Sequence, residues 1–381
     1  MAFLTKVLVT NICLLPFNVV CLSTGTTTAS TSNSPHYSDT VYWNQYTAGQ
    51  QLDQAAYESP KFWADLDKCI PSWQTSKEYG RFRGFCDNLR TEKPGKEIVT
   101  PNGQQLLAQY VFPGIDEIST SRQAYPAESF AELTQLQKRL SKDVQPLAKL
   151  ELDSLLGAKP LVHDDETAKD VDNNDGDTWQ RAAWYGWQFL SLRGAKRWMP
   201  KTTIALKNAM GTLGPAHRFV GLARQKHNCT GVLHSDGRNY MLSTLTPVKC
   251  PPGCGIVVDG TDAKLATDPV ILDNTFLHYV YNHDMEQDRF CLMSECYHPS
   301  LTYKERDAIA TLFAVKDRFT VVELELAPWG YDDDDLEMAL KTGAVHDLNY
   351  WKEIGYDHAK TRLAQPKGFG ATKATKRGFG K

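Results

Sequence analysis

Two histidines, an aspartate and an arginine set the chemical possibilities. His234-Ser235-Asp236 puts an imidazole and a carboxylate two residues apart, and Arg289 follows His278 by eleven residues. In an extended segment, side chains at i and i+2 leave from the same face, so His234 and Asp236 point together. Two imidazoles and one carboxylate take one face of a ferrous ion and leave the opposite positions open. That is the donor set of non-haem iron oxygenases. An α-keto acid fills two open positions and dioxygen the third. The planar fork of an arginine suits the far carboxylate of such an oxo-acid in a way lysine cannot match.

Each of these residues has a plainer reading when taken alone. An H-x-D triplet arises by chance, a single histidine is more often a core or rim residue, and a single arginine is more often an ion-pair partner. Order and spacing inside a strand-rich segment favour the metal site. His283 lies in a polar run and is expected at the surface, and His227 is not expected to be a ligand. Asp273 and Asn274 are expected to shape the entry to the strand that carries His278.

The elements that must hold these residues are short strands. The pattern predicts strands at 218–227, 239–246, 255–258, 269–272, 276–281 and 290–297. Pro247, Pro251-Pro252-Gly253 (a hairpin turn), Gly260 and the polar run 282–288 punctuate them. Such a series predicts a sandwich or jelly-roll barrel. Two turns and about three strands separate Asp236 from His278, enough for His278 to return beside the first pair. The run 282–288 is expected to be a hairpin that brings the strands of His278 and Arg289 together.

Helices are expected around this core. Phe130, Leu133, Leu136, Leu140 and Val144 form one apolar face of a helix over 127–145, which Pro146 should kink or stop. A second helix is expected over 147–156, ending at Gly157. Thr302-x-x-Glu305 is a capping box opening a helix to about Phe313, and the acidic run 332–335 marks another helix start. The acidic stretch 163–177 lacks the glycine position and closing glutamate of a calcium loop and reads as a solvated loop.

The whole chain narrows the options. It has 381 residues, enough for one large or two modest domains. Its formal charge of −3 argues against nucleic-acid binding. Lys6 and the apolar run 7–22, followed by small residues, read as a secretory signal, with an uncleaved anchor or a bipartite organelle-targeting sequence as alternatives. Seven cysteines remain beyond that signal. Cys69–Cys86 is a plausible bridge, and Cys250 and Cys254 alone make only half a zinc site. Asn228-Cys229-Thr230 fits the glycosylation pattern, but a glycan there would crowd His234.

A family resemblance joins these readings. The matching text is Met199-Pro-Lys-Thr-Thr203, His234-Ser-Asp-Gly-Arg-Asn239, Pro247, Gly253-Cys254, Asp273-Asn-Thr-Phe-Leu-His278, Arg289-Phe290 and Tyr297-His-Pro-Ser-Leu301. It resembles the aspartyl/asparaginyl beta-hydroxylase family over roughly 104–315, with patterns H-T-G-P-x-N, F-D-D-S-F-E-H, a following arginine, and W-H-P-x-L. The resemblance implies a double-stranded β-helix, iron(II) held by His234 and His278, and 2-oxoglutarate held by Arg289. His298 matches the W-H-P histidine, with a structural role as one reading. The animal hydroxylase has glycine at Asp236, so a third ligand distinguishes this chain. It also has co-substrate residues where this chain has Ser243, Leu245 and Ala223. Co-substrate binding then leans on Arg289, helped by Arg238 or Arg224, with Ser243 also a candidate. The animal enzyme's helical-repeat region has no counterpart in this sequence.

The expected fold is mainly β with flanking helices around a double-stranded β-helix, jelly-roll and cupin-like. The expected divisions are signal 1–23, disordered linker 24–38, helical or mixed region 39–178, oxygenase core 179–315, C-terminal helical extension 316–363 and basic glycine-rich tail 364–381. The expected function is an iron(II)/2-oxoglutarate dioxygenase using O2, with ascorbate as a candidate reductant. His234, Asp236 and His278 are the metal ligands, and Asp236 disfavours halogenation by filling the halide position. The expected substrate is an Asp or Asn β-carbon in a secretory-pathway or secreted protein. Alternatives are a lipid acyl chain or small metabolite, or a non-catalytic barrel binding a carboxylate or carbohydrate. Membrane contact is expected only if the N-terminal segment stays uncleaved.

Overall fold

Short strands separated by turn residues, from residue 218 onward, build the barrel. In the computed structural model the described residues are 53–115, 124–158, 180–184, 187–192, 198–231, 233–265, 267–326, 328 and 333–353. The expected signal, linker, acidic loop at 163–177 and basic tail lie outside them.

Ten strands form two antiparallel sheets. They are β3 (Gln180–Trp184), β4 (Trp187–Ser191), β5 (Val220–Gln225), β6 (Cys229–Thr230), β7 (Met241–Lys249), β8 (Cys254–Val258), β9 (Thr261–Lys264), β10 (Val270–Leu272), β11 (His278–Asn282) and β12 (Arg289–Tyr297). The larger sheet runs β10-β7-β12-β5-β4-β3 and the smaller β6-β11-β8-β9. Leu245, Leu272 and Cys291 of the first pack with Ile256 and Val258 of the second in one apolar cluster. This is the double-stranded β-helix, with its core between the sheets. All six predicted strands are present within a few residues of their expected bounds.

Side chains alternate along β12 as the period of a strand requires. Phe290, Leu292 and Cys296 join a cluster that includes α3 (Ala131–Arg139), α4 (Gln145–Ala158) and α5 (Pro200–Met210), whereas Cys291 joins the cluster between the sheets. Arg289, Met293 and Glu295 share the phase of Cys291 and belong to the interior face.

Four local expectations are corrected. Pro146 does not stop the helix: Leu140–Val144 is a π-turn that leads straight into α4. The wider turn accommodates a residue with no N–H and a ring that crowds the preceding turn. Pro247 does not end its strand. It pairs with Cys291 inside β7 while Lys249 pairs with Phe290, so Val248 is an extra residue at a bulge. Pro251-Pro252-Gly253 turns the chain as expected, but β7 and β8 lie in different sheets. The run 282–288 is likewise no hairpin: β11 pairs with β8 and β6, and β12 with β5 and β7.

The N-terminal region packs around this core. Helices α1 (Pro60–Cys69) and α2 (Gly80–Thr91) share a cluster with Tyr240, Met241, Tyr297 and α6 (Tyr303–Leu324). The capping box at Thr302 and Glu305 is formed, and α6 runs to Leu324, past the expected end near Phe313. Its core-facing residues Phe313, Val315 and Phe319 continue the buried face and carry the helix on. The acidic run opens α7 (Asp333–Lys341), which precedes α8 (Leu348–Glu353). Among the described residues no helix is long and apolar enough to cross a membrane. All seven described cysteines are free thiols, so the expected Cys69–Cys86 bridge is absent, and Cys86 is a buried core residue instead.

Candidate metal centre

His234 and His278 are brought together by the backbone. The His234 N–H donates to the His278 carbonyl at 3.0 Å, and the reverse bond is 2.8 Å. Residues paired in this way project from the same face, and the two ring centroids lie 4.4 Å apart. The N–H of Asp236 donates to the Asn274 carbonyl at 2.8 Å, fixing the third residue. One donor atom each from His234, Asp236 and His278 lies within 4.8 Å of the others. Among the described residues no other such donor group occurs.

The loop between the first two donors is held from the N-terminal side. Strand β2 (Gln105–Leu107), paired with β1 (Glu97–Val99), runs beside it. The Ser235 hydroxyl donates to the Gln105 carbonyl at 2.7 Å, and the Leu107 N–H to the Gly237 carbonyl at 2.9 Å. Gly237 has φ +69°, and a Cβ there would meet Leu107 atoms at 2.6 and 2.8 Å. Only glycine allows this left-handed turn at such close approach.

Protonation states suit a cation. Burial, then His234, pushes His278 down to about 4, against the pull of Asp236. His278 is therefore neutral at ordinary pH. Its Nδ1 lies 2.9 Å from the Phe276 carbonyl, where it must donate, which leaves Nε2 with its lone pair as the metal-binding nitrogen. Burial works to raise the Asp236 carboxyl, but Arg218, His278 and His234 together outweigh it. Asp236 is held well below the usual carboxylate range.

Arg289 opens β12 on the interior face. It is 1% exposed, and its Nε and Nη1 are buried without a hydrogen-bond partner. Around it lie Cys250, Cys254 and Cys291, whose thiols feel its charge. Burial pushes Cys254 up to about 12, so it stays protonated and offers Arg289 no counter-charge. Cys250 and Cys254 themselves bond the Phe290 carbonyl and the Asn282 side chain, and neither belongs to a metal-binding group. A buried cation without a partner costs several kcal/mol, and a ligand carboxylate would recover it. β11 runs from His278 away from the metal end, and the chain returns at Arg289. Arg289 shares the strand phase of Cys291, and His278 that of Val280, both of which border the apolar cluster between the sheets.

The other sequence candidates have different partners. Arg224 projects to the helix-facing side of β5 and pairs with Asp288, its Nε 2.8 Å from the carboxylate. Arg238 stacks on Tyr110 at 4.2 Å and donates to the Asp236 carbonyl at 3.1 Å. Ser243 pairs with Glu295 across the sheet and accepts from the Asn274 amide at 3.1 Å, at the metal end. Ala223 and Leu245 are buried on the strands flanking β12. His298 is buried, accepts from the Ser300 N–H at 3.2 Å and meets Phe130 edge-on, so it braces the turn after β12. Asp273 accepts from the N–H and hydroxyl of Thr275, shaping the approach to His278 as expected. His227 and His283 are exposed.

Two further residues complete the site. Arg218 donates to Asp236 at 2.8 Å and to the fully buried Glu295 through Nε at 3.0 Å. Glu295 had a visible signal, as a lone acid on a strand whose only other charge is Arg289. Arg218 had none.

Residues 145–299 match the model of the aspartyl/asparaginyl beta-hydroxylase family. The matched stretch contains the triad and Arg289. No curated protein matches the chain. Among solved structures, the chain is similar to AviO1 from Streptomyces viridochromogenes Tue57, at 14% identity over 45% of this chain and 96% of that one, with a TM-score of 0.29. It is similar to a Pseudomonas putida prolyl-4-hydroxylase, at 15% identity over 48% and 96%, with a TM-score of 0.26. A third is the non-heme monooxygenase ThoJ in a nickel complex, at 12% identity over 44% and 78%, with a TM-score of 0.28. At such scores none of the three bears on what this chain binds.

Proposed function

We propose that this protein is an iron(II)- and 2-oxoglutarate-dependent dioxygenase that hydroxylates a C–H bond. The carrying observation is a His–Asp–His donor group in the same barrel as Arg289, whose buried Nε and Nη1 have no hydrogen-bond partner. When bound, iron(II) with 2-oxoglutarate and dioxygen supplies the oxidising power to replace hydrogen by hydroxyl as the oxo-acid becomes succinate and CO2. His234 and His278 would give nitrogen donors, with His278 oriented by the Phe276 carbonyl. Asp236 is ionised and offsets one unit of the metal's charge. Arg289 binds the far carboxylate of the oxo-acid as a two-pronged donor. Leu245, Ile256, Val258 and Cys291 form an apolar cluster between the sheets, beside Arg289.

The substrate we propose is the β-carbon of an Asp or Asn side chain in a secretory-pathway protein, with ascorbate keeping the metal reduced. His234 is only partly buried, and Leu233 beside it is exposed, which suits an approach by a bulky substrate. Purified protein supplied with iron(II), ascorbate and 2-oxoglutarate should release succinate, faster with Asp- or Asn-containing peptides, and His278→Ala should release none. Acceleration by fatty acids or small metabolites alone would redirect the substrate. No turnover with any of them would leave a non-catalytic carboxylate-binding barrel.

A further inference from the structure

Asp236 sits on a loop next to a glycine, and a carboxylate in that setting has several rotamers. Its backbone is tied down through Asn274, but its side chain needs a separate hold. Arg218 provides one. Nη2 of Arg218 donates to Oδ2 of Asp236 at 2.8 Å, and both side chains are largely buried, at 13% and 15% exposure. Arg218 is itself fixed. Its Nε lies 3.0 and 3.2 Å from the two Glu295 oxygens, and Nη2 also contacts Glu295. Its guanidinium lies 4.3 Å from the Phe219 ring centre. Glu295 is fully buried and is held by the Phe219 N–H at 3.1 Å and the Asn274 amide at 3.5 Å.

We infer that Arg218, anchored by Glu295, is a positioning residue that commits Oδ2 of Asp236 and presents Oδ1 to the metal as a one-oxygen ligand. The inference rests on the metal-site reading above. The charge pattern supports it. Glu295 balances Arg218, so Asp236 keeps its negative charge available for a cation. Asn274 links Glu295 to the segment that leads into His278, so the same network steadies two of the three donors. Hydrogen-bonding partners behind a metal ligand are worth about 10–100-fold in metal affinity.

The test is anaerobic titration of the full chain with Co(II), followed by its visible absorption. Arg218→Met alone would strand the Glu295 charge and risk unfolding, so the decisive variant is Arg218→Met/Glu295→Gln, with circular dichroism checking its fold. We expect Co(II) to bind it about 10–100-fold more weakly than wild type. Its spectrum should shift toward that of Asp236→Ala, and adding Asp236→Ala to the pair should cost little more. Arg218→Lys should recover part of the affinity. A folded double variant with wild-type affinity and spectrum overturns the inference while Asp236→Ala still weakens binding. If wild type and Asp236→Ala bind Co(II) alike, Asp236 is no ligand and the three-ligand site falls with the inference.

Discussion

Arg289 and His278 carry the sharpest expectations at the scale of the residue. Replacing Arg289 with Met removes a charge-assisted pair worth about 1.5–3 kcal/mol, so the KM for 2-oxoglutarate should rise roughly 10–100-fold. Steady-state succinate release checks this. Arg289→Lys should recover little, because a point charge does not reproduce the fork. His278 sets a pH dependence. Its folded value of about 4 lies below the ordinary 6.5 of the unfolded chain. Above pH 6.5 both states are neutral and the metal-free protein has its full stability. As pH falls toward 4, the unfolded state binds a proton the folded state refuses, and stability drops. From pH 7 to 5 this one residue should cost about 2 kcal/mol. Urea unfolding of metal-free wild type and His278→Gln should differ by that slope. The donors and Arg289 were legible in the sequence because their chemistry is in their type and spacing. Arg218 was not, because its role exists only once Glu295 and Asp236 arrive from distant segments.

At the scale of the element, the ligand loop depends on strand β2, which the sequence did not reveal. Three residues with no strong pattern form it, and only its partners give it meaning. Gly237→Ala forces a left-handed residue with a Cβ against Leu107. It should cost about 1–3 kcal/mol, lower the melting temperature and weaken Co(II) binding together. An unchanged melting temperature would mean that β2 can move aside freely. The barrel strands were legible because short strand-forming runs are punctuated by turn residues from residue 218 onward. The pairing of the sheets was not. Hairpins were expected across 251–253 and 282–288, yet both links carry the chain from one sheet to the other. Strand alternation records which face is buried but not which neighbour lies beside it.

At the scale of the whole molecule, the site belongs to more than its barrel. Phe62, Phe82 and Phe85 from the N-terminal helices share a core with α6 and with Tyr240 and Tyr297 of the barrel. A chain lacking residues 53–115 should therefore be insoluble or lose its cooperative melt, which expression and calorimetry would check. A soluble truncated chain that binds Co(II) normally would show the barrel to be self-sufficient. The central claim is that the donor triad and Arg289 act as one site. Its most direct test is anaerobic calorimetric titration of 2-oxoglutarate into the protein with and without Mn(II). One equivalent should bind tightly with the metal and much more weakly without it, and binding should be lost in both His278→Ala and Arg289→Met. Equal binding with and without metal, or none at all, would contradict it.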